Sequence, residues 1–176
     1  MTLPADESER FEGQAGAATT GAVREEPAPV ATGLDQSSMA HLLGYHITQA
    51  NVPSRKAFMR HIGAPYRLSP VEFTILMLVA NNRDATHKQL SQALMVSAPA
   101  VTTLLDRLSE RGLIARVRNE NDRRSQNVRL TRRGAALQRE VREISLGMER
   151  DLVRYLTEGE RAILVELLQK VSRGRR

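Results

Sequence analysis

The sequence predicts a mainly α-helical protein that carries one small β-hairpin. Three observations support this. Between Ser37 and Val171, apolar residues recur mostly at spacings of three and four, the period of one helix face. Signatures of the form Ser/Thr-x-x-Glu/Gln divide that pattern into separate helices, since each gives first-turn amides a side-chain acceptor. Across residues 113–130 the period drops to two on both sides of a polar turn, as a hairpin requires.

Residues 1–35 set Gly13, Gly16, Gly21, Gly33, Pro4, Pro27 and Pro29 among alanine, threonine and acids. They offer little to bury and are expected to form a disordered acidic tail. Met39, Leu43, His46/Ile47 and Ala50 begin the helical pattern, and Ala57, Phe58, His61 and Ile62 resume it after Pro53. Proline removes a backbone donor and clashes with the preceding turn, so residues 36–62 are expected to form one kinked helix or two short ones, ended by Gly63-Ala-Pro65.

"SPVE" at Ser69–Glu72 caps a short, deeply buried helix through Phe73–Ala80. "THKQ" at Thr86–Gln89 caps the next, which is expected to bury Leu90, Ala93 and Leu94. After a turn at Met95-Val96, Ser97 is the expected cap of a third helix with a stripe of Val101, Leu104, Leu105 and Leu108, stopped by Gly112. In the hairpin, Ala115 and Val117 alternate with Arg116 and Arg118, and Val128 and Leu130 alternate with Asn127 and Arg129. Thr131 caps a long helix with Leu137, Val141, Ile144, Met148 and Leu152 on one face. "TEGE" at Thr157–Glu160 caps a last helix, expected to be buried through Ile163, Leu164, Leu167, Leu168 and Val171.

The net charge of +6 conceals a partition: −5 over residues 1–35 and +11 over residues 36–176. Only Lys56, Lys88 and Lys170 are lysines, and the other basic residues are arginines, whose planar guanidinium suits phosphate and guanine. Such a body favours a polyanionic partner. The chain has no cysteine, which excludes disulfides, thiol nucleophiles and thiolate metal sites. No apolar run spans a membrane, and the N-terminus lacks a signal-peptide layout, so no membrane partner is expected and the cytoplasm is the expected location.

Two helices joined by a tight turn and followed at once by a basic hairpin form a winged helix-turn-helix. In that arrangement the first helix braces on the DNA backbone and the second lays its N-terminal turns in the major groove. The exposed early positions of the second helix are Ser97, Ala98, Ala100, Thr102 and Thr103, with Arg107 further along. Small residues allow close approach, hydroxyls bond base edges or phosphate, and methyl groups meet thymine. In the wing, Arg116, Arg118, Arg123, Arg124 and Arg129 surround a loop wide enough for a minor groove, and Asp122 is placed to brace Arg124.

The residues "VSAPAVTTLLDRLSERGLIAR", the wing "NDRRS" and the closing "VRLTRRG" resemble the MarR (multiple antibiotic resistance regulator) family of bacterial transcription factors. The resemblance in element order extends over about residues 36–172. It implies an obligate homodimer on a palindromic double-stranded DNA operator, with Ser97–Thr103 as the base-reading segment and Arg123 or Arg124 as the minor-groove arginine. The implied division is an N-terminal dimerisation segment (36–62), a winged module (69–131) and C-terminal dimerisation helices (132–172). An independent observation agrees: the long stripes of residues 137–156 and 163–171 exceed what one winged module can cover.

The resemblance also implies a small-molecule effector. "HLLGYHITQA" and "LSPVEFTILMLVA" look similar to members that regulate aromatic-acid catabolism, some of which answer to aryl-CoA thioesters. Tyr45, His46, Phe73 and Met77 would line such a pocket, with Arg60 or Arg67 available to a carboxylate or phosphate. Enzymatic activity is not expected, because no catalytic constellation or glycine-rich phosphate loop is present. His41, His46 and His61 lack the nearby acids of a metal site, and no cofactor is implied. The expected function is a repressor released by an aromatic effector. The alternative is an effector-independent architectural winged-helix protein.

Overall fold

The computed structural model describes residues 33–118 and 126–173. Residues 1–32 of the expected tail therefore lie outside the described residues, as do Asp122, Arg123 and Arg124 of the wing. The remaining chain is mainly helical with one antiparallel hairpin, as its periodicity predicts.

After a 3-10 turn at Ser37–Met39, α1 (Leu43–Phe58) continues through Pro53, so the sequence there forms one helix rather than two. Gly63-Ala-Pro65 does not end it. The coil widens into a π turn at Met59–Gly63, where the Ala64 N–H bonds the Met59 carbonyl, and continues as α2 (Ala64–Tyr66). Such widening offers a path past Pro65, which has no N–H to give an ordinary turn. The true stop is Arg67, with left-handed φ of 52°. The Leu68 N–H bonds Gly63 O at 3.1 Å and the Arg67 N–H bonds Ala64 O at 3.4 Å, satisfying the last carbonyls.

The capping boxes form as expected. At the start of α3 (Pro70–Asn81), Ser69 N–H and Oγ each donate to Glu72 Oε2 at 2.8 Å. Thr86 and Gln89 repeat the arrangement at α4 (His87–Leu94). α5 (Ala98–Glu110) starts where expected, but the Ser97 side chain makes no capping bond. Pro99, the second helical residue, lacks one of the amides such a cap would bond. Gly112, at φ of 65°, closes α5 by the same pair of bonds seen at Arg67, Leu113 N–H to Leu108 O and Gly112 N–H to Ser109 O.

The hairpin pairs β1 (Ile114–Arg118) with β2 (Gln126–Leu130) in the register Ile114↔Leu130, Arg116↔Val128, Arg118↔Gln126. Its buried side is built from Ile114 and Val128, while Ala115 is exposed. Ala85-Thr86 adds a third edge through a bridge to Asn127 and a 2.8 Å bond from the Val128 amide to Ala85 O. Thr131 caps α6 (Arg132–Leu152) by accepting from the Gly134 amide at 3.0 Å, and α7 (Glu158–Arg173) follows its own capping box.

One core joins these elements. Ile75, Leu76 and Val79 of α3 share it with Val101, Leu105 and Leu108 of α5 and with Ile62, Leu68, Leu113, Ile114, Val128 and Val141. Two burial expectations fail. Ala93 is exposed, since Leu90 and Leu94 face the core from α4. The apolar residues of α7 are also exposed, Ile163 by 58% and Leu167 by 52%, because α7 contributes no residue to this core.

Candidate nucleic-acid interface

The helix pair α4–α5 is held by Leu90 and Leu94 on one side and Val101, Leu105 and Leu108 on the other. Met95 makes the turn between them possible by adopting a left-handed φ of 53°. Its N–H bonds Gln92 O, the Val96 N–H bonds Ser91 O, and Ser91 Oγ donates to Val96 O at 2.7 Å. The buried stripe of α5 leaves its opposite face outward. Ser97, Ala98, Ala100, Thr102, Thr103 and Arg107 are all exposed, as the 3.6-residue period requires.

The two threonines are not free rotors. Thr102 Oγ1 donates to Ala98 O at 3.1 Å and Thr103 Oγ1 to Pro99 O at 3.2 Å, the back-bonding available to a helical hydroxyl. Thr102 also lies 3.0 Å from His87 Nε2 on α4. Sequence reasoning passed over His87. Its one signal is position, as the first residue of a capped helix that directly precedes the reading helix.

The wing arginines divide. Arg116, on the face of Val128, pairs with Asp106 of α5 at 2.6 Å and so fastens the wing's base to the helix. Arg129 lies across the surface of the preceding turn: its Nη2 meets Asp84 Oδ1 at 3.0 Å and its Nε donates to Arg83 O at 3.2 Å. Asn127, buried on the same face, shares that carboxylate at 3.1 Å. Arg129 is thus part of the scaffold beneath the expected tip. Arg118 is exposed toward the tip end of β1, with Lys88 and Arg107 exposed on the helix pair.

A second anchor, Arg111, holds the end of α5 to the N-terminal arm. Its guanidinium donates to the Tyr66 and Arg67 carbonyls, both at 2.8 Å, where the end of α2 favours a cation. Tyr66 in turn donates its hydroxyl to Glu140 of α6 at 2.7 Å, and that bond holds the phenol above its ordinary pKa.

A small exposed helix face, a braced companion helix and a basic wing match a known family. Its sequence profile, described as MarR family, covers residues 68–126. The multiple antibiotic resistance protein MarR of Escherichia coli is 32% identical over 109 residues, spanning 61% of this chain and 76% of that protein. The chain belongs to the MarR family. Among solved structures, a mutant of MarR from E. coli complexed with operator DNA is similar at a TM-score of 0.70 and 29% identity, covering 78% of this chain and 99% of that one. The transcriptional repressor CouR, bound to a 23-mer DNA duplex, is similar at a TM-score of 0.74 and 28% identity, covering 79% and 98%. The protein is accordingly a DNA-binding transcriptional regulator of MarR type with a winged-helix fold.

The expected effector residues of this MarR-family chain are spread out. Tyr45 bonds Gln36 and accepts from Gln49 at 2.9 Å, and His46 lies 2.9 Å from Ala40 O, both near the start of α1. Phe73 packs edge-to-face on Phe58 with ring centres 5.6 Å apart, and Met77 Sδ accepts from Gln138 at 3.3 Å. Arg60 and Arg67 are exposed on the π turn and beyond α2. None of the six lines the concavity of about 480 Å³ beside α6, whose walls include His61, Ile144, Met148, Arg150 and Arg154. Among the described residues no helix is long and apolar enough to cross a membrane.

Proposed function

We propose that this regulator works as a homodimeric repressor, reading a palindromic operator and releasing it when a small aromatic acid or its CoA thioester binds. The outward face of α5, small at its N-terminal turns and backed by a buried stripe, carries the reading. Ser97, Ala98, Ala100, Thr102 and Thr103 approach the major groove, with Arg107, Arg116 and Arg118 near the backbone and Asp122, Arg123 and Arg124 at the wing tip. The winged module is residues 69–131, and residues 36–62 and 132–172 form the dimer. Support for the dimer comes from the apolar stripe of α7, uncovered in a single chain.

The concavity beside α6 supports the effector half of the proposal better than the six residues chosen from sequence. His61 sits on the π turn of the N-terminal arm, and Arg150 and Arg154 offer cations to a carboxylate or phosphate, next to apolar Ile144 and Met148. A ligand there releases DNA only by favouring the conformation that binds DNA poorly.

The test is to footprint the full chain on its own upstream region and then add aromatic acids and their CoA thioesters. The expected result is a discrete palindrome, half-sites about one helical turn apart, that loses protection with one of these compounds. A palindrome that no compound disturbs would favour an effector-independent regulator, a reading to which the scatter of the six expected residues lends weight. Even coverage without a discrete site would point to an architectural protein.

A further inference from the structure

We propose that His87 is a positioning residue for sequence readout: by donating to the Thr102 hydroxyl from α4, it leaves that hydroxyl to face the groove as a hydrogen-bond acceptor alone. The proposal rests on the reading above, that the N-terminal turns of α5 enter the major groove. A threonine hydroxyl has one proton and two lone pairs. Ala98 O, 3.1 Å away on the same helix, is within reach of the Thr102 hydroxyl, and we assign its proton to that carbonyl. His87 Nε2 is 3.0 Å from the same oxygen. With the hydroxyl proton already committed, that contact is a hydrogen bond only when Nε2 carries the proton. One lone pair of Thr102 is then taken by His87 and the other is left for whatever meets the exposed face of α5.

This assigns a chemical preference. An acceptor in the major groove matches the exocyclic amino group of adenine (N6) or cytosine (N4), and it repels guanine O6 and N7 and thymine O4. Thr103 provides an internal comparison. Its hydroxyl makes the same back-bond, to Pro99 O at 3.2 Å, and among the described residues no α4 side chain bonds it. Removing the His87 ring releases Thr102 to rotate or to redirect its proton, so the distinction between amino and carbonyl base edges weakens at the position it reads. The same bond fixes the first turn of α4 against α5, so a phosphate contact made by α4 and a base contact made by α5 keep one relative geometry.

The experiment selects bound half-sites from randomised duplexes with the full-length protein, its His87→Ala, His87→Gln and Thr102→Val variants, and the double variant. Unfolding midpoints are measured alongside. The expected result for His87→Ala is a roughly three- to tenfold loss of preference for adenine or cytosine at one position per half-site, with other positions and the unfolding midpoint unchanged. His87→Gln, whose amide can donate, should restore part of that preference, and the double variant should be no worse than Thr102→Val alone. A uniform loss of affinity across all sequences in His87→Ala would overturn the proposal, as would additive effects of the two substitutions. If Thr102→Val leaves the preference unchanged at every position, Thr102 reads no base edge and the proposal fails; if the unsubstituted protein selects no discrete half-site, the groove-facing reading of α5 itself fails. A change with Thr102→Val but none with His87→Ala defeats the positioning role and leaves that reading standing.

Discussion

Gly134 stands where the N-terminus of α6 meets the start of the wing. A Cβ built there would lie 1.8 Å from the Leu113 carbonyl oxygen, a backbone atom that is also bonded by the Thr131 amide at 3.1 Å. Neither partner can swing aside as a flexible side chain would. Gly112 makes the opposite case: a positive φ of 65° with nothing within 4 Å of an added Cβ. Gly134→Ala should therefore cost about 3 kcal/mol through overpacking, against about 1–2 kcal/mol for Gly112→Ala through left-handed strain alone. Urea midpoints of the two variants order them, and equal losses would mean that α6 can shift away from Leu113. "VRLTRRG" placed a glycine at this position, and Gly112 was legible as a helix stop, but sequence spacing carries no information about a carbonyl that arrives from another element. Arg129 and Asn127 were opaque for the same reason, since their partner Asp84 lies more than forty residues away.

Helix beginnings were legible because their chemistry is local. Each Ser/Thr-x-x-Glu/Gln box closes within one turn, so the starts of α3, α4 and α7 follow from four residues apiece. The end of the N-terminal arm was not legible. Its π turn and the left-handed Arg67 depend on packing of Ile62 and Leu68 into the core, and on Arg111 reaching the last carbonyls. The box at α7 also makes a pH prediction. The Thr157 amide and hydroxyl hold the Glu160 carboxylate below its ordinary value of 4.5, so the folded form is the one with the depressed pKa. Its contribution to the start of α7 is then complete above the ordinary value and disappears as pH falls from there through the lowered one. The Thr157 amide resonance should move with the Glu160 titration, and Glu160→Gln should abolish that movement. A Glu160 that titrates at its ordinary value would show the box to be open in solution.

The whole molecule explains why helical periodicity in the last helix gave the right element and the wrong burial. A repeat of three and four reports that a face is apolar but does not say which chain covers it. For α3 and α5 the cover is the core of the same chain, and Ile75, Leu76, Val101 and Leu108 are buried. On α7, Leu164 and Leu168 remain 44% and 43% exposed one helical turn apart, and at the other end of the chain Leu43 and Ile47 are exposed as well. In the proposed homodimer a second copy covers both ends at once and brings two winged modules to one duplex. Replacing Leu164 and Leu168 by glutamate puts two charges per chain into that contact and removes burial of about 1.5–3 kcal/mol per leucine. The dimer should then weaken by at least about a hundredfold, giving monomers at micromolar concentration in sedimentation equilibrium. The helical content of the winged module should survive, because no core residue of α3–α6 has been changed. Operator affinity should fall with the dimer, since a single reading helix engages only one half-site. A double variant that still sediments as a dimer would move the interface off α7, and one that binds the operator undiminished as a monomer would remove the need for a dimer altogether.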